Sequence, residues 1–374
     1  MKILFSSNIA WSIYNFRIKL LKRLKQNGHE IFTVAKADHY VEFLEKEGFI
    51  FRHIEINNNS TNPLEDLKLI RSYIKLYKEI APDIILHNAI KPNIYGTIAA
   101  KFLGIPVINN ISGLGTLFIK KSISTVIAKQ LYKFSQYKAD KVFFQNSDDL
   151  NLFINSGLVK KEVTQLIPGS GVDTNYFVPK VNKLRNTPFK FLFVARLIAD
   201  KGIREYIDAI KILKNKYSEI EFTILGSIYQ ANATSITHEE LQNWVSNLGI
   251  IHIPHSDHVK EIMQEVDCLV LPSYREGLSK VLIEASSLSI PIITTDVPGC
   301  RDVVIDGYNG FLCKVKDAND LAIKMEKMYL LDQEDLITLG LNARKRAINV
   351  FDIDIINGIY QNAIDKILHI DLKK

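Results

Sequence analysis

The stretch Arg275-Glu-Gly-Leu-Ser-Lys-Val-Leu-Ile-Glu-Ala285 sets two carboxylates, Glu276 and Glu284, eight residues apart around Gly277. Two carboxylates can grip hydroxyl-rich groups as acceptors, provided that they reach the same place. On one continuous helix they would stand about 80° apart, sharing only the edge of a face. The residues upstream predict another arrangement. Val-Asp-Cys-Leu-Val-Leu-Pro-Ser-Tyr (266–274) is a short apolar run ending in Pro and Ser, the pattern of a buried strand entering a loop. Gly277 then allows a tight turn, and 279–289 reads as the helix. Glu276 falls in the strand-to-helix loop and Glu284 about one and a half turns into the helix. The backbone N–H groups at Leu278 and Ser279, with the positive helix end, would suit a phosphate between them. Glu284 could then accept from a ribose diol, and Glu276 could hold a hydroxylated group beyond the phosphates. A surface pair, one glutamate capping the helix and one solvated, satisfies the spacing equally well.

A second set of charges lies upstream, in Phe193-Val-Ala-Arg-Leu-Ile-Ala-Asp-Lys-Gly202. A strand delivers Arg196, and a loop brings Lys201 and Gly202. A guanidinium fork and an ammonium at a strand's carboxyl end suit a diphosphate clamp. A salt-bridged surface loop is the plainer reading of any such pair. The two loops support each other because both are expected to open on the same edge of one sheet.

The elements that must position these groups alternate along the whole chain. Strand candidates fall at 2–8, 30–37, 51–56, 83–89, 106–112 and 140–146, with helical periodicity between most of them. The polar segment 179–188 has a proline near each end and no apolar period, and reads as a linker. The alternation resumes at 189–197, 221–227, 250–254, 268–273, 291–297 and 310–315. Continuous apolar strands interleaved with helices predict parallel sheets covered on both faces. The expected architecture is α/β, with two Rossmann-like doubly wound domains facing a central cleft. Their expected bounds are 1–180 and 181–350, with a terminal helical segment, 351–374, able to pack on either one.

Composition narrows the class. The chain has 374 residues, 47% hydrophobic and 24% charged, which fits a two-domain globular protein. Cys268, Cys300 and Cys313 lack metal-ligand spacing, as in a reduced cytosolic compartment. The first residues enter a strand without the apolar region of a signal peptide, and no apolar run is long enough to span a bilayer. The net charge of +6 is uneven: 24 basic against 15 acidic residues in 1–180 give +9, and 23 against 26 in the remainder give −3. A basic first half suits an anionic membrane surface or a polyanionic ligand, and equally an ordinary solvated surface.

In order and spacing, Ala-Arg-Leu-Ile-Ala-Asp-Lys-Gly (195–202), the 271–285 stretch and 291–312 resemble the donor half of retaining glycosyltransferases of family 4, which have the GT-B fold. That family's Glu-x7-Glu signature is met by Glu276 and Glu284, and its Arg/Lys pair by Arg196 and Lys201. The likeness implies catalytic roles for Arg196, Lys201 and Glu276. It implies nucleotide-sugar contacts for Glu284, Gly277, Leu278 and Ser279, with no metal and no bound cofactor. In the first half, 12–17, 91–108 and 112–118 resemble the subset that builds bacterial surface glycans such as capsule and O-antigen. That likeness implies a UDP-sugar donor, often of an N-acetylhexosamine, and a saccharide acceptor on a polyprenyl diphosphate. Asn15, Arg17, Lys91, Asn93, Gly113 and Gly115 would lie on the acceptor side. A catalytic histidine common among relatives is replaced here by Asn109 and Asn110, and His87 is the nearest histidine.

A lipid-linked acceptor implies peripheral work at the inner face of the cytoplasmic membrane. Segments 16–25 and 117–138 mix lysines with apolar residues, as interfacial helices do, and 16–25 reads equally as a core-facing helix. Asp352-Ile-Asp354 and Gly113-Leu-Gly115 are fragments of metal and dinucleotide motifs without the rest of either pattern. Two other functions share the architecture: a non-hydrolysing UDP-sugar epimerase and a non-catalytic nucleotide-sugar-binding protein. The Arg196/Lys201 and Glu276/Glu284 combination is not an epimerase pattern.

Overall fold

The computed structural model of the chain describes every residue except 59, 61, 115–122, 182–183, 230–231, 233 and 369–374, with backbone alone at 123–125 and 128. It divides into two compact units, 1–170 with 353–374, and 171–352.

The first unit holds seven parallel strands: β1 (Lys2–Ile9), β2 (Glu30–Lys36), β3 (Ile50–His53), β4 (Ile84–Asn88), β5 (Val107–Ile111), β6 (Lys141–Phe144) and β7 (Thr164–Leu166). They are ordered β3-β2-β1-β4-β5-β6-β7. The order reverses between β1 and β4, so the loops leaving these two strands turn to opposite sides and open a crevice. Strands β4 and β5 are buried along their whole length, as expected of a sheet covered on both faces. β7 went unpredicted because it is a three-residue edge strand, Thr-Gln-Leu, with no apolar run.

The second unit holds β8 (Phe189–Val194), β9 (Ile220–Leu225), β10 (Ile251–Ile253), β11 (Cys268–Leu271), β12 (Ile292–Thr295) and β13 (Gly310–Cys313). Their order is β10-β9-β8-β11-β12-β13, all parallel, with the reversal between β8 and β11. Each unit is therefore the doubly wound α/β sheet that the alternation predicts.

One expectation needs correction. Residues 179–188 are not a free linker, because Arg185 fastens them to the second unit. Its guanidinium donates to the carbonyls of Leu331 (2.7 Å) and Tyr329 (2.8 Å) and lies against the Phe189 and Tyr329 rings. Arg185 and Asn186 reach backbone carbonyls of the second unit, while Lys180, Thr187 and Pro188 are exposed, and polarity alone does not separate the two cases. Of the two readings of 16–25, the structure takes the core-facing one: the segment lies in the helix Ala10–Gln26, whose apolar face meets the core. Leu20, Leu21 and Leu24 are buried, while Lys22 pairs with Glu47 at 2.6 Å. Lys19, Arg23 and Lys25 are exposed on its other side and Lys22 is half-buried, whereas Arg17 is buried.

The terminal helix, Ile353–Ile367, packs on the first unit through Ile356, Tyr360 and Ile364, and the Asn27 side chain donates to Gln361 at 2.9 Å. Among the described residues no helix is long and apolar enough to cross a membrane.

Candidate active site

The reversal between β8 and β11 brings Lys201 and Glu276 together. Lys201 ends the short 3-10 turn Ala199–Lys201 that follows β8, and Glu276 lies in the loop that follows β11. The ammonium sits 2.5 Å from Glu276 Oε1, with the two side chains 21% and 12% exposed. The backbone fixes this meeting. Tyr274 N–H donates to the Asp200 carbonyl at 2.9 Å, and the Ser273 hydroxyl donates to the same carbonyl at 3.2 Å. Gly202 has φ +75°, and a Cβ there would stand 2.0 Å from the Pro272 carbonyl oxygen. The two loops touch because position 202 carries no side chain.

The loop after β12 braces the other side. Glu276 N–H donates to the Pro298 carbonyl at 3.1 Å, and Ser279 N–H donates to the Gly299 carbonyl at 3.3 Å. Two details of the expected turn change. The left-handed glycine is Gly299, at φ +77°, while Gly277 takes no positive φ. The Ser279 N–H is engaged by Gly299, so it does not await a phosphate; the Leu278 side chain packs on the core. The helix itself runs Lys280–Ser287, with no side-chain cap at Ser279 and no acidic residue in its first turn.

Arg196 and Glu284 have other partners. Arg196 is exposed, and its guanidinium lies over the Tyr229 ring at 4.9 Å. Tyr229 follows β9, so Arg196 remains on the same sheet edge as Lys201. Glu284 is only 9% exposed, with its carboxylate 3.7 Å from Lys280 Nζ. Burial raises its proton affinity above the ordinary carboxylate range, and Lys280 partly offsets this.

In the first unit, Asn15 donates to the Trp11 carbonyl at 3.0 Å, a contact within its own helix. Lys91 pairs with Asp66 at 2.8 Å, and the Tyr95 hydroxyl donates to the other Asp66 oxygen at 2.6 Å. Asp66 is 25 residues upstream of Lys91, and nothing local announces the pair. Asn93 is buried and donates to the Asn110 carbonyl at 2.8 Å, bracing the end of β5. Arg17 is buried beside Tyr360. Gly113 has φ +125°, and Gly115 lies outside the described residues.

His87 belongs to a closed network. Its Nδ1–H donates to Asn109 Oδ1 at 3.0 Å, leaving Nε2 to accept from the Tyr77 hydroxyl at 2.8 Å. Asn109 in turn donates to Gln136 Oε1 at 2.8 Å. Burial pushes the imidazole pKa down to about 3, so the ring is neutral in the fold. In the unfolded chain it takes a proton near pH 6.5. The stability that it contributes is complete above that value and is lost as pH falls toward 3. The expected slope from this one group is about 1.4 kcal/mol per pH unit. Urea melts between pH 7 and pH 5 should show it, and His87→Gln should flatten it.

Sequence reasoning missed Tyr229 as the platform for Arg196, Gly299 as the brace of Glu276, and Asp66 as the partner of Lys91. An aromatic residue three positions after Gly226 was the available signal for the first. The others are contacts between segments distant in sequence.

Sequence models of known families match both halves: "Glycosyl transferases group 1" over residues 177–346 and "Glycosyl transferase 4-like" over residues 2–146. The chain is 31% identical to the capsular polysaccharide biosynthesis glycosyltransferase CapM of Staphylococcus aureus, over 78% of each chain. It is 28% identical to the N,N'-diacetylbacillosaminyl-diphospho-undecaprenol alpha-1,3-N-acetylgalactosaminyltransferase of Campylobacter jejuni, over 98% of this chain and 99% of that one. HepE from Anabaena, in complex with UDP and glucose, shares the fold with a TM-score of 0.80 at 20% identity, over 98% of this chain and 99% of that one.

Proposed function

Since the chain belongs to the group 1, family 4-like glycosyltransferases and has their GT-B fold, we propose that it transfers an N-acetylhexosamine, with retention, from a UDP-sugar to a saccharide on a polyprenyl diphosphate. The observation that carries the reading is the meeting of Lys201 and Glu276 at the reversal between β8 and β11. Ligands of doubly wound sheets bind at such points. The Campylobacter relative, named for an N-acetylgalactosaminyl group and a diphospho-undecaprenol acceptor, supports the donor sugar and the acceptor class.

Departure of a nucleoside diphosphate leaves charge on the β-phosphate. Lys201, Arg196 and the N-terminal turn of Lys280–Ser287 stabilise that charge by fixed positive potential, without a metal. Glu276 holds the Lys201 ammonium. With donor bound, it is placed to accept from sugar hydroxyls as the ammonium turns to phosphate. Glu284, buried in the middle of that helix, accepts from the ribose diol. The acceptor hydroxyl attacks from the face that the diphosphate leaves, and a phosphate oxygen takes its proton.

Contact with an anionic membrane completes the reading. Val126, Ile127 and Phe134 on the helix Ile123–Gln136 are exposed, and Lys138 lies over the Phe134 ring at 4.2 Å. Apolar side chains beside lysines suit the headgroup region of an anionic leaflet. On this reading the enzyme works at the inner face of the cytoplasmic membrane.

One experiment tests the whole reading. Labelled UDP-N-acetylhexosamines are incubated, with excess EDTA, with a lipid-diphosphate saccharide in anionic or zwitterionic vesicles. Transfer is expected in both and fastest in the anionic ones. Isomerised donor or unreacted bound donor would replace transfer by one of the other two functions, and equal rates in the two vesicles would remove the membrane contact.

A further inference from the structure

Arg196 and Lys201 both follow β8, yet the fold restrains them by different chemistry. Lys201 is held by a carboxylate, whereas Arg196 forms no ion pair with any described residue and lies over the Tyr229 ring, 4.9 Å from its centre. The backbone delivers that ring. Beyond β8 and β9 the chain segments stay side by side: Leu197 N–H donates to the Ser227 carbonyl at 3.0 Å, and Leu197 bridges to Ile228. The segment then turns, with Asn232 N–H donating to the Tyr229 carbonyl at 2.9 Å. It returns to the loop that it left, where Ala199 N–H donates to the Thr234 carbonyl at 2.8 Å and Ile236 N–H to the Leu197 carbonyl at 3.2 Å. Tyr229 is thereby tied to residues 197–199 from both sides along the chain. Its place beside Arg196 is set by the backbone, and the two side chains need only meet.

We propose that Tyr229 is a positioning residue that keeps the Arg196 guanidinium ordered without neutralising it, so that Arg196 stays open to the diphosphate of an incoming donor. The inference rests on the donor site assigned above. An arginine side chain loses much rotamer freedom when it binds, and a ring that already restrains it makes that loss smaller. A carboxylate would restrain it equally well, but would cancel its charge and would have to be displaced by the phosphates, as Glu276 must be displaced from Lys201. An aromatic face attracts the cation through its quadrupole and carries no charge of its own. Of the two cations, Lys201 is compensated until Glu276 turns away, and Arg196 keeps its full attraction for phosphate throughout. Once the guanidinium is on the diphosphate, its hold on the ring has served its purpose, so the gain belongs to donor binding and not to the chemical step.

The test is a double-mutant cycle on the full chain, read by UDP affinity in calorimetry, with kcat and KM for the UDP-sugar measured alongside. Tyr229 is 43% exposed, so leucine there should leave the melting temperature unchanged. Tyr229→Leu should weaken UDP binding about threefold, the worth of an exposed cation–ring contact, and raise KM by the same factor with kcat unchanged. Tyr229→Phe keeps a ring and should bind UDP as the parent protein does, and Tyr229→Trp as well or better. In an Arg196→Ala background all of these differences should vanish, because no guanidinium remains to be held. Arg196→Ala alone tests the reading beneath: unchanged UDP affinity in that variant would refute the donor clamp itself. If Arg196→Ala weakens UDP binding as expected, but Tyr229→Leu has no effect or the same effect in both backgrounds, the positioning role is overturned while the clamp stands.

Discussion

Lys201→Ala is expected to lower kcat by about 10²–10³-fold, the effect of removing one preorganised charge from a developing oxyanion. The expectation is stronger here than for an isolated lysine, because the ammonium is half of a shielded pair with Glu276. Its removal leaves a carboxylate facing the place that the departing diphosphate must occupy. The local potential then changes sign instead of merely weakening, so donor affinity should fall along with turnover. Glu276→Gln separates the two effects. It keeps the shape and frees the ammonium, so binding of the bare nucleoside diphosphate should hold or improve while sugar transfer drops. Lys201→Arg should recover part of the activity, because it restores the charge with a bulkier fork. Single-turnover kinetics, with nucleotide affinity measured in parallel, gives both numbers. Full turnover in Lys201→Ala would remove this residue from the chemistry and with it the main support for the donor site.

The sequence was most informative where one chemical type had to recur at a fixed spacing. Apolar runs marked twelve of the thirteen strands among the described residues, most readily those buried on both faces, which tolerate little else. The loops with Lys201 and Glu276 were legible for a related reason: each follows such a strand directly, so its place on the sheet edge is set before any contact forms. Orientation was another matter. Arg196 and Lys201 are five residues apart and were expected to act as one clamp. Their present partners differ, Tyr229 for one and Glu276 for the other, because a 3-10 turn lies between them. The 179–188 segment shows the same limit from the opposite side. Its polar residues looked solvated, but Arg185 serves carbonyls more than 140 residues away. The asparagines of β5 were read as the absence of a catalytic histidine. Asn109 in fact accepts from His87, and the Asn110 carbonyl accepts from Asn93, relations that no local pattern encodes.

Gly202→Ala is expected to disable the enzyme through the backbone alone. Alanine at φ +75° carries a conformational cost of about 1 kcal/mol. Position 202 adds a collision, since the new Cβ would lie 2.0 Å from the Pro272 carbonyl oxygen and 2.6 Å from its carbon. Neither atom can yield without moving the loop after β11, and that movement breaks the Tyr274 N–H bond to Asp200 that holds Lys201 opposite Glu276. The total should reach about 3 kcal/mol of stability, in the range seen when strain and overpacking combine. Activity should fall more than tenfold even at temperatures where the protein stays folded, because displacing charges by an ångström weakens catalysis out of proportion to stability. Gly104→Ala separates the two causes. Position 104 has nearly the same backbone angle, φ +73°, with open space where the Cβ would stand. That variant should show the conformational cost alone and keep its turnover. If Gly202→Ala and Gly104→Ala lose equal stability and both remain active, the contact between the two loops does not hold the lysine in place, and the ion pair must be set by the side chains themselves.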